Sequence, residues 1–301
     1  MNLFQESRYI REAPAYDVAA ARRYFPVLPA IRAMVNSLPP ENGKDTLTLF
    51  GARSPSGEAL ERLSAEIGKL SAGRHRVSLI LADLEARAGF SWRSDLRMCA
   101  QSTIKAVYCG ALVEAAPEAL NENGRLLRDA IVLSDNESYE RLRRIYGPEP
   151  IRRWCADAGV DPAFAVPDYP RDRTAREMLR MWTRMYRFLN QDTTGFAAYY
   201  ADSLASATRK QLTLPLQSKA GWENGLGEER CFDISEIPME YRDGNPMNDE
   251  CAINDTGIVY TAHGPYIFVI YTDHPYAAAE GCPNPLDDLV KVMYEADLSL
   301  F

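Results

Sequence analysis

The sequence predicts an α/β (α+β) fold in which a sheet domain carries an inserted helical subdomain. Strand-like apolar runs occur toward both ends of the chain, at 77–82 and 90–93 and again at 257–261 and 266–272. Residues 102–210 are instead nearly all helical in pattern. A sheet built from both ends of a chain leaves the intervening helices as one insert, so we expect an active site between the two parts.

The elements before the insert follow from local patterns. Residues 1–56 are predicted to be a partly helical N-terminal extension, with a helix over 17–38 that Pro26 and Pro29 interrupt. Amphipathic spacing predicts a second helix over 57–73, and the two strands that follow it read as a hairpin.

The insert is predicted to be a series of helices. The first begins at Ser102, and the others cover 124–133, 137–146, 149–158, 174–190 and 196–210. Thr174 and Glu177 form a T-x-x-E capping box at the start of the longest one. After the last two strands, a helix over 284–299 closes the chain.

Composition fits one main domain. We predict a domain over 57–301, made of a sheet subdomain (57–101 and 211–301) and a helical subdomain (102–210). An apolar fraction of 46% and a charged fraction of 25% are ordinary for soluble proteins, so a large core is available. The formal net charge of −8 argues against a nucleic-acid partner, and no apolar run is long enough to predict a membrane span.

Three short motifs occur in an order that suggests chemistry. Ser102 and Lys105 form S-x-x-K, residues 134–136 form S-D-N, and residues 219–221 form K-x-G. Each motif alone is a weak signal because short patterns arise by chance. Their order and spacing make the combination stronger.

These residue types suit nucleophilic catalysis. A serine hydroxyl must lose its proton, reach a carbonyl carbon and have the resulting oxyanion held by fixed donors. The i, i+3 spacing puts the Lys105 amine on the same helix face as Ser102. Burial near a second cation, for which Lys219 is the candidate, would let neutral Lys105 accept that proton. Ser134 is the candidate to protonate the leaving nitrogen, and Asn136 to orient Lys105 or the substrate amide.

Each motif also has a structural interpretation. Ser102 can be the N-cap of its helix, and Ser134 with Glu137 forms an S-x-x-E capping box. Residues 219–221 can be the end of an edge strand. These alternatives stay open on the sequence alone.

The ordered motifs resemble those of the class A β-lactamases and penicillin-binding serine enzymes, and the resemblance extends over roughly 57–301. It implies a β-lactamase/transpeptidase-like fold with an antiparallel sheet of about five strands flanked by helices. It also implies an oxyanion hole made by the backbone N–H groups of Ser102 and Trp222, substrate binding at Ala220 and Gly221, and no cofactor. The implied substrate is a β-lactam or another small-molecule or peptide amide.

Three features depart from the family pattern. Ser102 and Ser134 are much closer in sequence than usual, so the cleft is expected to be more open. Ala220 stands where the family has Thr or Ser, whose hydroxyl helps to bind the substrate carboxylate. The E-x-x-L-N pattern that supplies the deacylation base is missing, and the nearby acids are Asp161, Asp168 and Asp172.

Two functions of different classes therefore remain open. The first is a serine acyl-enzyme hydrolase, favoured by the five retained polar side chains of the three motifs. The second is a catalytically impaired binding or regulatory protein, favoured by Ala220 and the missing base. The resemblance implies a periplasmic, extracellular or cell-surface location, although the first residues lack the basic start and apolar stretch of a signal peptide.

Other kinds of site have weaker support. His75, His263 and His274 are isolated in sequence, so no metal site is predicted, and no G-x-S-x-G motif suggests a Ser-His-Asp triad. Six cysteines permit disulfides. A bridge between Cys231 and Cys251 would pin the segment between two predicted strands, and two free thiols are the alternative.

Overall fold

A single antiparallel sheet organises the molecule. The computed structural model describes residues 18–41, 45–72, 75–165, 172–191, 204, 216–223, 252–274 and 286–301. Six strands lie in the order β1-β3-β2-β8-β7-β6. They are β1 (Thr48–Gly51), β2 (Val77–Asp83), β3 (Ala88–Trp92), β6 (Leu216–Glu223), β7 (Ala252–Thr261) and β8 (Gly264–Thr272). A separate two-stranded ladder pairs β4 (Met98–Cys99) with β5 (Asp172–Arg173). The predicted antiparallel sheet is confirmed.

Helices cover both faces of this sheet. They are α1 (Val18–Ala21), α2 (Leu28–Ser37), α3 (Gly57–Leu70), α4 (Thr103–Ala115), α5 (Ala119–Arg128), α6 (Asn136–Tyr146), α7 (Glu149–Ala158), α8 (Ala175–Gln191) and α9 (Asp287–Leu298). Short 3-10 segments lie at Arg22–Tyr24 and Pro162–Ala165, and a π-helical turn at Asp129–Leu133 continues α5. None of the helices in the described ranges is long and apolar enough to cross a membrane.

Alternation along the central strands builds two cores. In β2, Leu79 and Leu81 point to the layer formed by α3 and α9, whereas Ile80 and Ala82 point to the layer that contains α4 and α8. Successive side chains of a strand face opposite sides of a sheet, so a strand buried on both faces reads as a continuous apolar run. This explains why residues 77–82 are apolar at five of six positions.

The predicted extension packs on the main domain in its described part. The apolar face of α2, formed by Leu28, Ile31 and Val35, is buried in the same core as α8. Strand β1 pairs with β3 and adds the sixth strand to the sheet. The boundary predicted at residue 56 therefore does not mark a break in packing.

Most helix predictions agree with the structure to within a few residues. At the start of α8, Thr174 Oγ1 accepts a hydrogen bond from the Glu177 N–H (3.0 Å), and Glu177 Oε2 accepts one from the Thr174 N–H (3.0 Å), which is the predicted capping box. The helix predicted over 124–133 begins earlier, at Ala119. The cysteine pair Cys231 and Cys251 lies outside the described residues, as does the helix predicted over 196–210 apart from Leu204.

Candidate active site

Ser102 lies immediately before α4, at a sharp change of chain direction. Gln101 has a φ of 45°, a left-handed value that is uncommon outside glycine, and it turns the chain from β4 into the helix. Ser102 itself has helical dihedral angles, and its side chain makes no capping hydrogen bond. Ser102 therefore occupies the N-cap position of α4 without capping the helix through its side chain. Next to it, Thr103 Oγ1 donates to the Ala100 carbonyl (2.6 Å).

Helix α4 runs through the middle of the molecule. It packs against α7 and α8 and also against β6 and β7, so the residues of the K-x-G motif lie on a neighbouring strand. Ten of its 13 residues are buried, which is the pattern of a helix surrounded by protein. Cys109 is fully buried on this helix, as expected for a core residue.

Lys105 is the buried charged residue at the start of this helix. Only 3% of the surface of Lys105 is exposed. The Nζ atom donates to the Ser134 carbonyl oxygen (2.5 Å) and to Asn136 Oδ1 (2.6 Å), and it lies 3.4 Å from Ser134 Oγ. The structure therefore brings the second residue of S-x-x-K together with both polar ends of S-D-N.

Ser102 and Lys105 share a helix face but are not hydrogen-bonded through their side chains. Within the described ranges, the Ser102 hydroxyl has no hydrogen-bond partner. Catalytic hydrogen bonds often tighten only when substrate is bound. The lack of a side-chain hydrogen bond between Ser102 and Lys105 is therefore compatible with proton transfer between them.

Ser134 has a strained backbone. It follows the π-helical turn and adopts the left-handed conformation (φ 59°, ψ 28°) that usually belongs to glycine at a helix end. The Asp135 N–H donates to the Asp129 carbonyl (3.1 Å), which closes this turn. The reversal aims the Ser134 carbonyl at Lys105. Non-glycine residues in this region cost about 1–3 kcal/mol and cluster at functional sites.

Asp135, rather than Ser134, caps the next helix. Asp135 Oδ2 accepts a hydrogen bond from the Ser138 N–H (2.7 Å) at the start of α6. Hydrogen bonds from the Ser138 side chain and backbone lower the pKa of Asp135 from its ordinary value. The interpretation of Ser134 with Glu137 as a capping box is therefore wrong, and Ser134 is left to face Lys105.

Burial controls the charge of Lys105. Desolvation lowers the pKa of its amine to about 8, and this effect exceeds the opposing influence of nearby Cys109, Asp135 and Glu140. The Nζ atom also lies 5.8 Å from the centre of the Tyr139 ring, within cation–π distance. Neutral amine is therefore accessible near neutral pH.

The K-x-G residues lie on β6, whose backbone the structure describes. Lys219 pairs with Thr256, Gly221 with Asn254 and Trp222 with Ile253 across the ladder to β7. Ala220 is opposite Asp255. The edge-strand interpretation agrees with their position, since β6 is the outermost of the sheet strands that the structure describes, and it is compatible with a role beside α4.

The candidate deacylation acids lie in different places. Asp161 is exposed and accepts a hydrogen bond from the Ala163 N–H (2.7 Å) in a local turn. Asp172 is on β5, opposite Cys99 of the segment that leads to Ser102. Asp168 lies outside the described residues. No group of three or more His, Cys, Asp or Glu residues in the described ranges could hold a metal ion.

Sequence reasoning missed two residues near the motifs. Tyr139 follows Asn136 by three positions on α6, so helical spacing could have placed its ring on the Lys105 side. Asn254 is buried on β7 opposite Gly221, and no local pattern distinguishes it.

Three solved structures show the class of fold. A β-lactamase from Streptosporangium roseum is 16% identical, with a TM-score of 0.56 over 81% of this chain and 100% of that one. The carbapenemase VCC-1 from Vibrio cholerae is 13% identical, with a TM-score of 0.55 over 78% and 99%. A variant of the last common ancestor of Gram-negative bacteria β-lactamase class A is 17% identical, with a TM-score of 0.55 over 80% and 99%. The fold is that of the class A β-lactamases.

The chain belongs to the β-lactamase enzyme family, because the model of that family matches residues 122–288, more than half of its length. The matched segment includes Ser134, Asn136 and Lys219 and begins after Ser102 and Lys105. No curated protein matches the chain. The low identities to the solved structures mark it as a divergent member.

Proposed function

We propose that this protein is a serine acyl-enzyme hydrolase of the β-lactamase or penicillin-binding type, with Ser102 as nucleophile and Lys105 as general base. The observation that carries the proposal is the buried Lys105 amine, which is held by Ser134 and Asn136 one helical turn after Ser102. A lysine whose charged form is disfavoured by burial is suited to accept a proton.

The hydrogen-bonding capacity of the amine supports this assignment. A charged ammonium has three N–H donors and no acceptor. Neutral Lys105 keeps two N–H groups for its two short contacts, to the Ser134 carbonyl and Asn136 Oδ1, and has a lone pair left to accept a hydroxyl proton. The S-D-N residues thus orient the base without using up its lone pair.

In the proposed acylation step, Ser102 becomes esterified and the amide nitrogen leaves. The Ser102 oxygen attacks the amide carbon while its proton moves to Lys105 Nζ, and the backbone N–H groups of Ser102 and Trp222 hold the oxyanion. Ser134 Oγ gives its proton to the leaving nitrogen and regains one from Lys105 Nζ, 3.4 Å away. The C–N bond breaks and an ester to Ser102 remains, which water then hydrolyses.

The proposed substrate is a β-lactam or a cell-wall-peptide-like amide, and the proposed place of action is outside the cytoplasmic membrane. Ala220 has no hydroxyl for the substrate carboxylate, so Ala220 and Gly221 would contribute backbone contacts only. Since no matching deacylation base follows S-D-N, we expect acylation to be faster than hydrolysis and the adduct to be long-lived.

A chromogenic cephalosporin followed by intact-mass spectrometry tests the proposal. We expect one adduct per chain that persists after free drug is removed and that is absent in Ser102→Ala. The matched control is Ser138→Ala, which changes a serine on α6 outside the proposed proton path. An adduct retained in Ser102→Ala would overturn the nucleophile assignment, and rapid turnover without an adduct would show that a second base is present.

The second candidate function is a non-catalytic binding or regulatory role on the same scaffold. Ala220 favours it, because a member that has lost the carboxylate-binding hydroxyl is poorly equipped for ordinary penicillins. Saturable binding of a β-lactam or peptide without any Ser102 adduct, across a panel of serine-reactive probes, would favour this role over the hydrolase.

A further inference from the structure

Asn254 is a buried amide at the meeting point of three strands. It is fully buried, with 0% of its surface exposed. Its Nδ2 atom donates to the Cys99 carbonyl (2.7 Å), and its Oδ1 atom accepts a hydrogen bond from the Thr272 N–H (3.0 Å). A carbonyl at one end and an N–H at the other permit only one orientation of the amide.

The side chain of Asn254 takes the place of a backbone hydrogen-bond partner where the ladder between β7 and β8 ends. The ladder between β7 and β8 runs from Thr261 opposite Gly264 to Asp255 opposite Ile270, so Asn254 stands just beyond its end. There its side chain satisfies the Thr272 N–H, which costs free energy if it is buried without a partner. The backbone of Asn254 continues to pair with β6, directly opposite Gly221.

The other end of the amide reaches the segment that leads to Ser102. Cys99 ends β4, three residues before Ser102, and the chain turns between them at the left-handed Gln101. Asn254 thus connects this segment, through its side chain, to the strand that pairs with the K-x-G residues.

We propose that Asn254 is a positioning residue that fixes the separation between Ser102 and β6, an inference that rests on the proposed function. The two oxyanion donors would come from different elements, Ser102 at the start of α4 and Trp222 on β6. Such donors must lie about 2.7–3.1 Å from the developing oxyanion, and a displacement of about 1 Å can cost about 10²-fold in rate. Loss of the Cys99 contact should therefore slow acylation at saturating substrate more than it raises KM.

Asn254→Asp tests this contact specifically. The substitution keeps the side-chain size and an acceptor for the Thr272 N–H, but it places an oxygen against the Cys99 carbonyl. Ionised, that carboxyl repels the carbonyl; protonated, it can donate to it. We expect acylation by saturating chromogenic cephalosporin to fall about 10²-fold at pH 8, and the ratio of variant to wild-type rate to recover as the pH falls.

Asn190→Asp is the matched control. Asn190 is also fully buried, and its Nδ2 atom donates to a backbone carbonyl, that of Tyr186 (2.8 Å), within α8. The control should lose comparable stability without a pH-dependent change in the rate ratio. If Asn254→Asp fails to fold, Asn254→Ser removes both amide contacts without adding charge and should show the same loss without recovery at low pH.

Hydrogen exchange of the peptide 98–103 gives a readout independent of activity. We expect faster exchange there in the Asn254 variants than in Asn190→Asp. Unchanged exchange, or an equal loss of rate in the variants at both positions, would overturn the positioning role. Absence of any Ser102 adduct in the wild type would overturn the proposed function instead, and the exchange of 98–103 would still decide whether Asn254 holds this segment.

Discussion

Glu41 and Lys105 are both buried charged groups, but their surroundings affect charge in opposite ways. Glu41, 1% exposed, accepts hydrogen bonds from Ser91 Oγ (2.6 Å) and from the backbone N–H (2.8 Å) and Oγ (2.7 Å) of Ser94. Burial alone would raise the pKa of Glu41, but these hydrogen bonds outweigh it and the pKa is lowered. At Lys105 the effect of burial exceeds that of the nearby groups that oppose it. Burial therefore lowers the pKa of the amine and favours its neutral form.

The difference distinguishes a group that holds the fold together from one suited to chemistry. The carboxylate of Glu41, which stays ionised at neutral pH, connects the segment after α2 to the end of β3. Lys105 is held by a strained residue, Ser134, and its lowered pKa of about 8 makes the neutral amine accessible near neutral pH. Strain and a perturbed pKa at one place are expected of a functional site and serve no evident structural purpose.

The largest expected effect is on acylation in Lys105→Ala. Without the general base, the rate of adduct formation on Ser102 should fall by about 10² to 10⁴ while the protein stays folded. The measurement is the rate of mass increase with a reactive β-lactam, with circular dichroism as the check on folding. An unchanged rate in the folded variant would contradict the general-base role.

Glu41→Gln should show the reverse pattern. The amide cannot accept all the hydrogen bonds that the carboxylate takes from Ser91 and Ser94, so we expect a loss of about 3 kcal/mol in the free energy of unfolding. Urea unfolding of the wild type and the variant measures the loss. Acylation of the folded variant should be unchanged, and a large fall in rate would mean that the two regions are coupled.

The expected change in acylation rate with pH is smaller than the effect of Lys105→Ala, but its direction is specific to a lysine base. Only neutral Lys105 can accept the proton, so the rate should fall about tenfold, or about 1.4 kcal/mol, for each pH unit below the pKa of about 8 and level off above it. Folding disfavours the charged amine, so the same group should make stability rise with pH between its folded pKa of about 8 and its ordinary pKa of 10.5. A flat profile between pH 6 and 9, where about a hundredfold change is expected, would exclude this base.

The sequence predicted the parts of this molecule that depend on local pattern. Apolar runs located β2, β7 and β8, and the T-x-x-E motif located the start of α8 with its capping box. The contacts of Lys105 with Ser134 and Asn136 span 29 and 31 positions, and the ordered motifs suggested them where local spacing could not. Strand β1 escaped prediction because its four residues are only partly buried, in a pattern too short to show a period.

Contacts distant in sequence could not be predicted in the same way. The Asn254 amide bridges to Cys99 across 155 positions, and the pairing of β1 with β3 depends on the whole sheet. The role of Asp135 as the helix cap was missed for another reason. Ser134 and Asp135 are both good capping residues, and only the left-handed turn at Ser134 decides between them.

The smallest expected effect separates strain from chemistry at Ser134. Its φ of 59° is costly for any residue with a Cβ atom, so Ser134→Gly should be more stable than Ser134→Ala by about 1 kcal/mol in urea unfolding. Both variants lack the hydroxyl, so both should slow acylation to a similar extent. Equal stability of the two variants would show that the left-handed backbone carries no cost. A faster reaction in one of them would show that the backbone carbonyl, which contacts Lys105 Nζ at 2.5 Å, matters apart from the hydroxyl. Stability and acylation therefore respond separately at Ser134, as they do at Glu41. Relief of the backbone strain in Ser134→Gly should stabilise the protein relative to Ser134→Ala without restoring acylation.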